Sequence, residues 1–332
     1  MIIPLLNGLL SFSKAPVTWI LVFLNVFVMA MTSFSSGRET KILEGLFQDK
    51  AFMEIQALVY RSYLEARPKE LVKRELASLV RRETKQSDRD LATLAFRDQD
   101  FLESQESDFS FPDEVAYSYW KSHIDQFLTV QLTSVNHLWG ISATNSSWTS
   151  WLSYMFVHAG WMHLGVNMIF LVLAGGSLEL SVGSLGVLIV YLFSGFIAGG
   201  SYILLSGLSA SPLVGASGAV SGLITFFAVL NWNRPVRFVY WLLVPQKNAF
   251  GFIYLPGLFL FYLWGVADLT GYLSSSEFSS GVAYAAHMGG HLTGILAGVT
   301  LLFLARWSGR PPAGEPSRKM YELEPLVLVH RL

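Results

Sequence analysis

The chain of 332 residues contains no cysteine. That absence excludes disulfides, a thiolate nucleophile and zinc–thiolate sites, and it removes any reading of redox compartment. Charge is the second scarcity. Asp, Glu, Lys and Arg make up 14% of the chain, against about 25% in a typical soluble protein. Hydrophobic residues make up 52%, and the mean hydropathy is +0.44. Between Ser33 and Ser147 lie 14 Lys+Arg and 18 Asp+Glu, which leaves 9 basic and 6 acidic residues for everything else. A single soluble globule does not have this distribution, and a disordered chain does not have this hydrophobicity. The net charge of −1 offers no basic face for a nucleic acid. The first apolar run, 17–34, is long for a signal peptide and no small-residue cleavage site follows it, so it reads as a retained anchor.

Crossing a hydrocarbon core of about 30 Å takes roughly 20 apolar residues in a helix. Runs 17–34, 151–173, 184–206, 249–269 and 282–305 approach that length, and a shorter one extends from Leu213 to Leu230. All six are expected to be helices, because lipid offers no partner to an open backbone. The short connections 174–183, 207–212 and 270–281 carry no Lys or Arg. Lys14, Arg234, Arg237, Lys247, Arg306, Arg310, Arg318, Lys319 and Arg331 all fall on one side if both termini are cytoplasmic. The resulting division is 1–34 for the N-terminus and first span, 35–147 for a polar extracytoplasmic insert, 148–306 for five further spans, and 307–332 for a cytoplasmic tail. In the insert, Phe52, Ile55, Val59 and Tyr63 recur at helical spacing, as do Leu71 or Val72, Leu76 and Leu79 or Val80. Pro68 marks a break between those two helices. The mixed charges read as a solvated surface.

Ionisable groups inside apolar spans are costly and therefore functional candidates. They are His158, His163, Asp268, His287 and His291, joined by Asn167 and by Ser217 within Gly215-Ala-Ser-Gly218. From Ser217 to Asn231 the helix would be about 21 Å long, so Ser217 sits part-way down the bilayer at a helix N-terminus. A serine needs a neighbouring base to become a nucleophile, and histidine suits that task near neutral pH. Free N–H groups at the helix start, with His163 and Asn167 four residues apart on one face, are suited to an oxyanion. The set describes acyl transfer. Taken singly, each element has a plainer reading: Gly-x-Ser-Gly also packs helices, and a buried histidine also serves as a hydrogen-bonding group. His158 and His163 are five apart with no carboxylate between them, which argues against a zinc helix. Asp268 either completes a triad or marks the membrane interface, and its place at the end of a span favours the interface. His291, one turn from His287, reads as a polar helix contact.

Phe156-Val-His158-Ala-Gly-Trp-Met-His163-Leu-Gly-Val-Asn167, Gly215-Ala-Ser217-Gly218 and Ala286-His287-Met-Gly-Gly290, in that order, resemble the rhomboid intramembrane serine proteases. The resemblance implies an all-α membrane protein: a six-helix bundle, here with a helical insert between helices 1 and 2. It implies an endopeptidase that cuts in or near transmembrane segments of membrane-protein substrates, using no cofactor or metal. The implied machinery is a Ser217–His287 dyad without a catalytic acid, an oxyanion hole from the Ser217 N–H, His163 and Asn167, and His158 steadying the adjacent loop. Span five and the loop 270–285 would gate substrate. The alternative is an inactive rhomboid-like protein that binds transmembrane clients, although such proteins usually lack the serine or histidine. Gly195 and Gly199, Gly218 and Gly222, and Gly290, Gly294 and Gly298 recur every four residues, a spacing that lets helices approach closely. The chain departs from the family pattern at Ser221, where an aromatic often lies beneath the histidine, and at Trp148-Thr149-Ser150, which lacks the usual arginine. The insert reads as a recruiter of substrate or partner, and the compact core suggests a bacterial inner membrane.

Overall fold

A computed structural model describes residues 2–4, 12–67, 74–82, 84–104, 109, 111–142, 145–206, 212–241, 250–274 and 282–308. Helix α1 runs from Pro16 to Gln48. Pro16 occupies the first turn, where its missing N–H leaves no bond unmade. The helix does not end with the apolar run near Phe34, so the expected boundary at 34/35 is not a chain break. Helical backbone bonds are internal and survive the passage from lipid to water, while only the side chains change. The start of α1 is held by a buried carboxylate. Glu179 accepts the N–H groups of Val17 and Thr18, each at 2.8 Å, the Thr18 hydroxyl at 2.7 Å and the Ser184 hydroxyl at 2.6 Å. The two N–H groups are orphan donors of a helix N-terminus, where the helix dipole also stabilises a negative charge.

The insert is helical, as its periodicity indicates. It contains α2 (Lys50–Glu65), α3 (Arg74–Arg81), α4 (Lys85–Ala95), α5 (Gln99–Glu103), α6 (Glu114–Thr133) and α7 (Val135–Trp139). Phe52, Val59 and Tyr63 of α2 are buried with Phe101, Trp120 and Phe127 in a core of its own, and Val80 of α3 joins them. Pro68, Leu71 and Val72 lie outside the described residues. Oxygen-bearing side chains mark several helix starts: Asp49 caps α2, Thr84 and Ser87 form a reciprocal capping box on α4, and Asp113 caps α6.

The second apolar region breaks differently from the expected span 151–173. After α8 (Ser150–Ser153) the chain leaves the helix, and α9 begins only at Trp161, ending at Phe170. His158 is therefore in a loop rather than on a helix. A π-helical turn, Leu171–Gly175, leads into α10 (Gly176–Ser206), which is interrupted at Gly183 with φ +78°. Then come α11 (Ser217–Leu230), α12 (Leu258–Ser274) and α13 (Tyr284–Trp307). The fifth run also differs: residues 250–256 form a strand. β3 (Phe250–Pro256) pairs antiparallel with β2 (Pro235–Trp241), and β2 pairs antiparallel with β1 (Ile2–Pro4). Hydropathy does not separate a short apolar strand from a buried helix; the aromatic-rich run closed by Pro256-Gly257 favours the strand. Pro16–Ser33, the stretch Trp161–Leu205 and Tyr284–Trp307 are long and apolar enough to cross a membrane, and α11 and α12 are shorter apolar helices. Phe23, Phe27, Leu185, Phe193 and Phe303 are exposed while Leu171, Tyr191 and Leu223 are buried. Helices apolar on the outside as well as the inside belong in lipid.

Helix α11 is the centre of the bundle, with every residue from Gly218 to Ala228 buried. Glycines permit this. A Cβ on Gly290 would overlap the Gly218 carbonyl oxygen, and one on Gly294 would overlap that of Gly222. On the other side a Cβ on Gly222 would overlap the Ser194 hydroxyl. Backbone meets backbone between α11 and α13, as the four-residue glycine spacing suggests.

Gly290→Ala is expected to destabilise the protein by about 1–3 kcal/mol, read as a lower unfolding temperature in detergent. Gly45→Ala, with nothing within 4 Å of the added methyl, should leave that temperature unchanged or raise it. In the insert, the half-buried Asp49 accepts the Phe52 N–H at 3.0 Å and the Tyr119 hydroxyl at 2.6 Å. These bonds hold its carboxyl below the usual range. A carboxyl whose pKa is lower folded than unfolded stabilises above the unfolded value, near 3.9, and loses that contribution as pH falls through the folded value. Asp49→Ala should weaken hydrogen-exchange protection of α2 at neutral pH by about 1 kcal/mol, with the gap to wild type narrowing in acid.

Candidate active site

Ser217 is the first residue of α11 and is half-buried. The segment leading to it is strapped on both sides. Leu213 exchanges backbone bonds with Ile141 at 2.8 and 3.1 Å, and the Gly215 N–H donates to the Tyr154 carbonyl at 2.8 Å. The Tyr154 hydroxyl in turn donates to the Gly195 carbonyl at 2.6 Å. Gly215 has φ +119°, a conformation that favours glycine, and a Cβ there would stand 2.7 Å from Cε1 of His163. The glycine therefore makes the turn and leaves room for the imidazole.

Three of the expected side chains gather around this turn. The Ala216 N–H donates to Nε2 of the buried His158 at 3.4 Å, which ties the loop before α9 to the start of α11. The His158 and His163 rings are 5.1 Å apart, edge to face. Asn167 is buried one turn beyond His163 and donates from Nδ2 to the His163 carbonyl at 2.9 Å. From the other side α13 approaches so closely that a Cβ on Gly218 would lie 3.5 Å from the Ala286 carbonyl oxygen. The Ser217–Gly218 step thus lies beside the Ala286–His287 step. The fold brings His158, His163 and Gly215 together at the turn before Ser217, with Asn167 adjacent and the Ala286 carbonyl near Gly218.

The sequence leaves open what supports His287. Ser221 is buried, and its hydroxyl has no hydrogen-bond partner among the described residues. Asp268 takes the supporting position instead. Its Oδ1 is 3.0 Å from Nδ1 of His287, and its Oδ2 is 3.0 Å from Nε2 of His291. Nδ1 of His291 is 2.7 Å from the Thr225 hydroxyl on α11. Asp268 is 7% exposed, so it does not mark an interface with water, and His291 is more than a helix contact. The reason lies in helical phase: position 268 on α12 faces α13, where burial of a carboxylate is tolerable only with both oxygens bonded. An acidic residue in an apolar run was the available signal, but the partner helix was not legible. Thr225 gave no signal at all. Among the described residues, no group of three or more His, Asp or Glu is arranged to hold a metal ion.

Residues 145–303 match the family model of the Rhomboid domain. RHOMBOID-like protein 4 of Arabidopsis thaliana is 31% identical over 183 residues, covering 52% of this chain and 40% of the relative. Rhomboid-related protein 3 of Homo sapiens is 36% identical over 86 residues, 25% of this chain and 21% of the relative. Rhomboid-type serine protease 2 of Emericella nidulans is 31% identical over 120 residues, 33% of this chain and 23% of the relative. These matches span less than half the length of each relative. The three come from a plant, a human and a fungus, so they lend no support to the expectation of a bacterial inner membrane.

Gly215→Ala is expected to cost about 1–3 kcal/mol through its positive φ alone, with further loss as the methyl displaces His163. The measurement is the unfolding temperature in detergent beside that of wild type.

Proposed function

We propose that the chain, whose residues 145–303 match the Rhomboid domain, is a rhomboid-family intramembrane serine endopeptidase acting on transmembrane segments of other membrane proteins. In this reading six helices cross the bilayer: the first part of α1, α9 extended to Val182, Ser184–Ser206, α11, α12 and α13. Two backbone pairings favour the resulting topology. The β1–β2 pairing puts the N-terminus on the side of Arg234 and Arg237, and the Ile141–Leu213 bridge puts the end of the insert on the side where α11 begins. Both termini are then cytoplasmic and the insert lies on the opposite face, with Ser217 nearer to it.

The observation that carries the reading is the contact of the Ser217 turn with the His287 turn, set by glycine packing of α11 on α13. His287 removes the hydroxyl proton as Ser217 Oγ attacks the scissile carbonyl. The oxyanion receives the Ser217 N–H, an orphan donor at a helix start, with His163 and Asn167 as side-chain donors. His287 then gives the proton to the leaving amine, and water releases the acyl group by the reverse sequence. A substrate helix must unwind locally first, because its carbonyls are already bonded along the helix.

Ser217→Ala and His287→Ala should each reduce cleavage of a transmembrane substrate in liposomes to background, on the order of 10³-fold or more, with membrane insertion unchanged. Cleavage at the wild-type rate by either purified variant contradicts the proposal. A folded wild type that binds transmembrane helices without cutting any of them favours client binding instead.

A further inference from the structure

We propose that Asp268 is a positioning residue for His287: its carboxylate fixes the tautomer and plane of that imidazole, leaving Nε2 as the proton acceptor for Ser217, while His291 and Thr225 hold the carboxylate. The inference rests on the Ser217–His287 reading above and deepens it from a dyad to a serine–histidine–aspartate arrangement spread over three helices.

The proton inventory of the network closes with one negative charge. With neutral rings, one assignment satisfies all three contacts: the Thr225 hydroxyl donates to Nδ1 of His291, Nε2–H of His291 to Oδ2 of Asp268, and Nδ1–H of His287 to Oδ1. Both imidazoles are then neutral, and each is confined to one tautomer. The other tautomer of His287 would set a lone pair against a carboxylate oxygen at 3.0 Å. When His287 takes the serine proton, the adjacent carboxylate stabilises the imidazolium, the role of the acid in a serine triad. A tie between α12 and α13 alone would be complete with Asp268, His291 and Thr225. The second oxygen on His287 is what that simpler purpose leaves unexplained. Ser221 offers no substitute, since its hydroxyl makes no bond to the ring.

Among the described residues, the groups around His287 are few. Asp268 comes from α12, His291 and Tyr284 from α13, and His163 and His158 from α9 and the loop before it. Helix α11 contributes only the hydroxyls of Ser217, Ser221 and Thr225. Asp268 is the carboxylate bonded to the ring, so its removal takes away the negative charge that faces the base.

The test is steady-state cleavage of a transmembrane substrate in liposomes across pH by Asp268→Asn, Asp268→Ala and Asp268→Glu, with unfolding temperature measured in parallel. Asp268→Asn and Asp268→Ala should lose on the order of 10²–10⁴-fold in kcat with KM little changed. The acid limb of the pH profile should move to lower pH, and Asp268→Glu should recover part of the rate. Wild-type kcat in Asp268→Asn overturns the inference, and so does a loss that follows unfolding temperature with an unmoved acid limb. Should the variants not fold, nitrogen-15 histidine spectra of the wild type decide, with the His287 signal assigned by its absence in His287→Ala. Protonation at Nδ1 is the expected result, and the Nε2–H tautomer overturns the assignment. If Ser217→Ala cleaves like wild type, the protease reading itself fails; if it is dead while Asp268→Asn is fully active, only this inference fails.

Discussion

Backbone contact between α11 and α13 is the constraint from which the rest of the core follows. Wherever glycines stack on both helices, no side chain intervenes, and the two axes come nearer than ordinary apolar packing allows. Such proximity places the first residue of α11 beside the first turns of α13. It also buries α11 from Gly218 to Ala228, so a short helix can begin inside the protein without exposing its N–H groups to hydrocarbon. The loop carrying His158 and the turn at Gly215 then close the remaining side by hydrogen bonds to Tyr154 and Ala216.

Among the described residues of this apolar body two carboxylates are buried, and both are fully engaged. Glu179 gathers four donors at the start of α1 and the break near Gly183, tying α1 to α10. Asp268 bridges two imidazoles and thereby joins α12 to α13, with Thr225 bringing in α11. A buried charge without such partners would be severely destabilising. Their arrangements differ in kind: one satisfies backbone at a helix end, and the other bridges two imidazole rings.

Much of this was legible in the residues because the physics is local. The Gly-x-Ser-Gly turn, the His163–Asn167 spacing and the glycine repeats each describe one helix and its near neighbour. The periodic Phe52–Tyr63 pattern likewise foretold the insert's first packed helix. What escaped depended on contacts between distant segments. The run at 250–256 is apolar enough for a membrane helix, and only pairing with 235–241 makes it a strand. Hydrophobicity ends near Phe34 but α1 does not, because helix propagation does not require lipid. Asp268 was visible as an unusual residue, while its relation to His287 depends on how two helices 19 positions apart face each other.

The most direct test of the central claim is the site of covalent modification by a fluorophosphonate, mapped by mass spectrometry on the detergent-solubilised chain. An activated serine at the α11 terminus predicts one stoichiometric adduct on Ser217, slowed sharply when His287 is replaced. An adduct distributed over other serines, or none on a folded and lipid-competent protein, would contradict it.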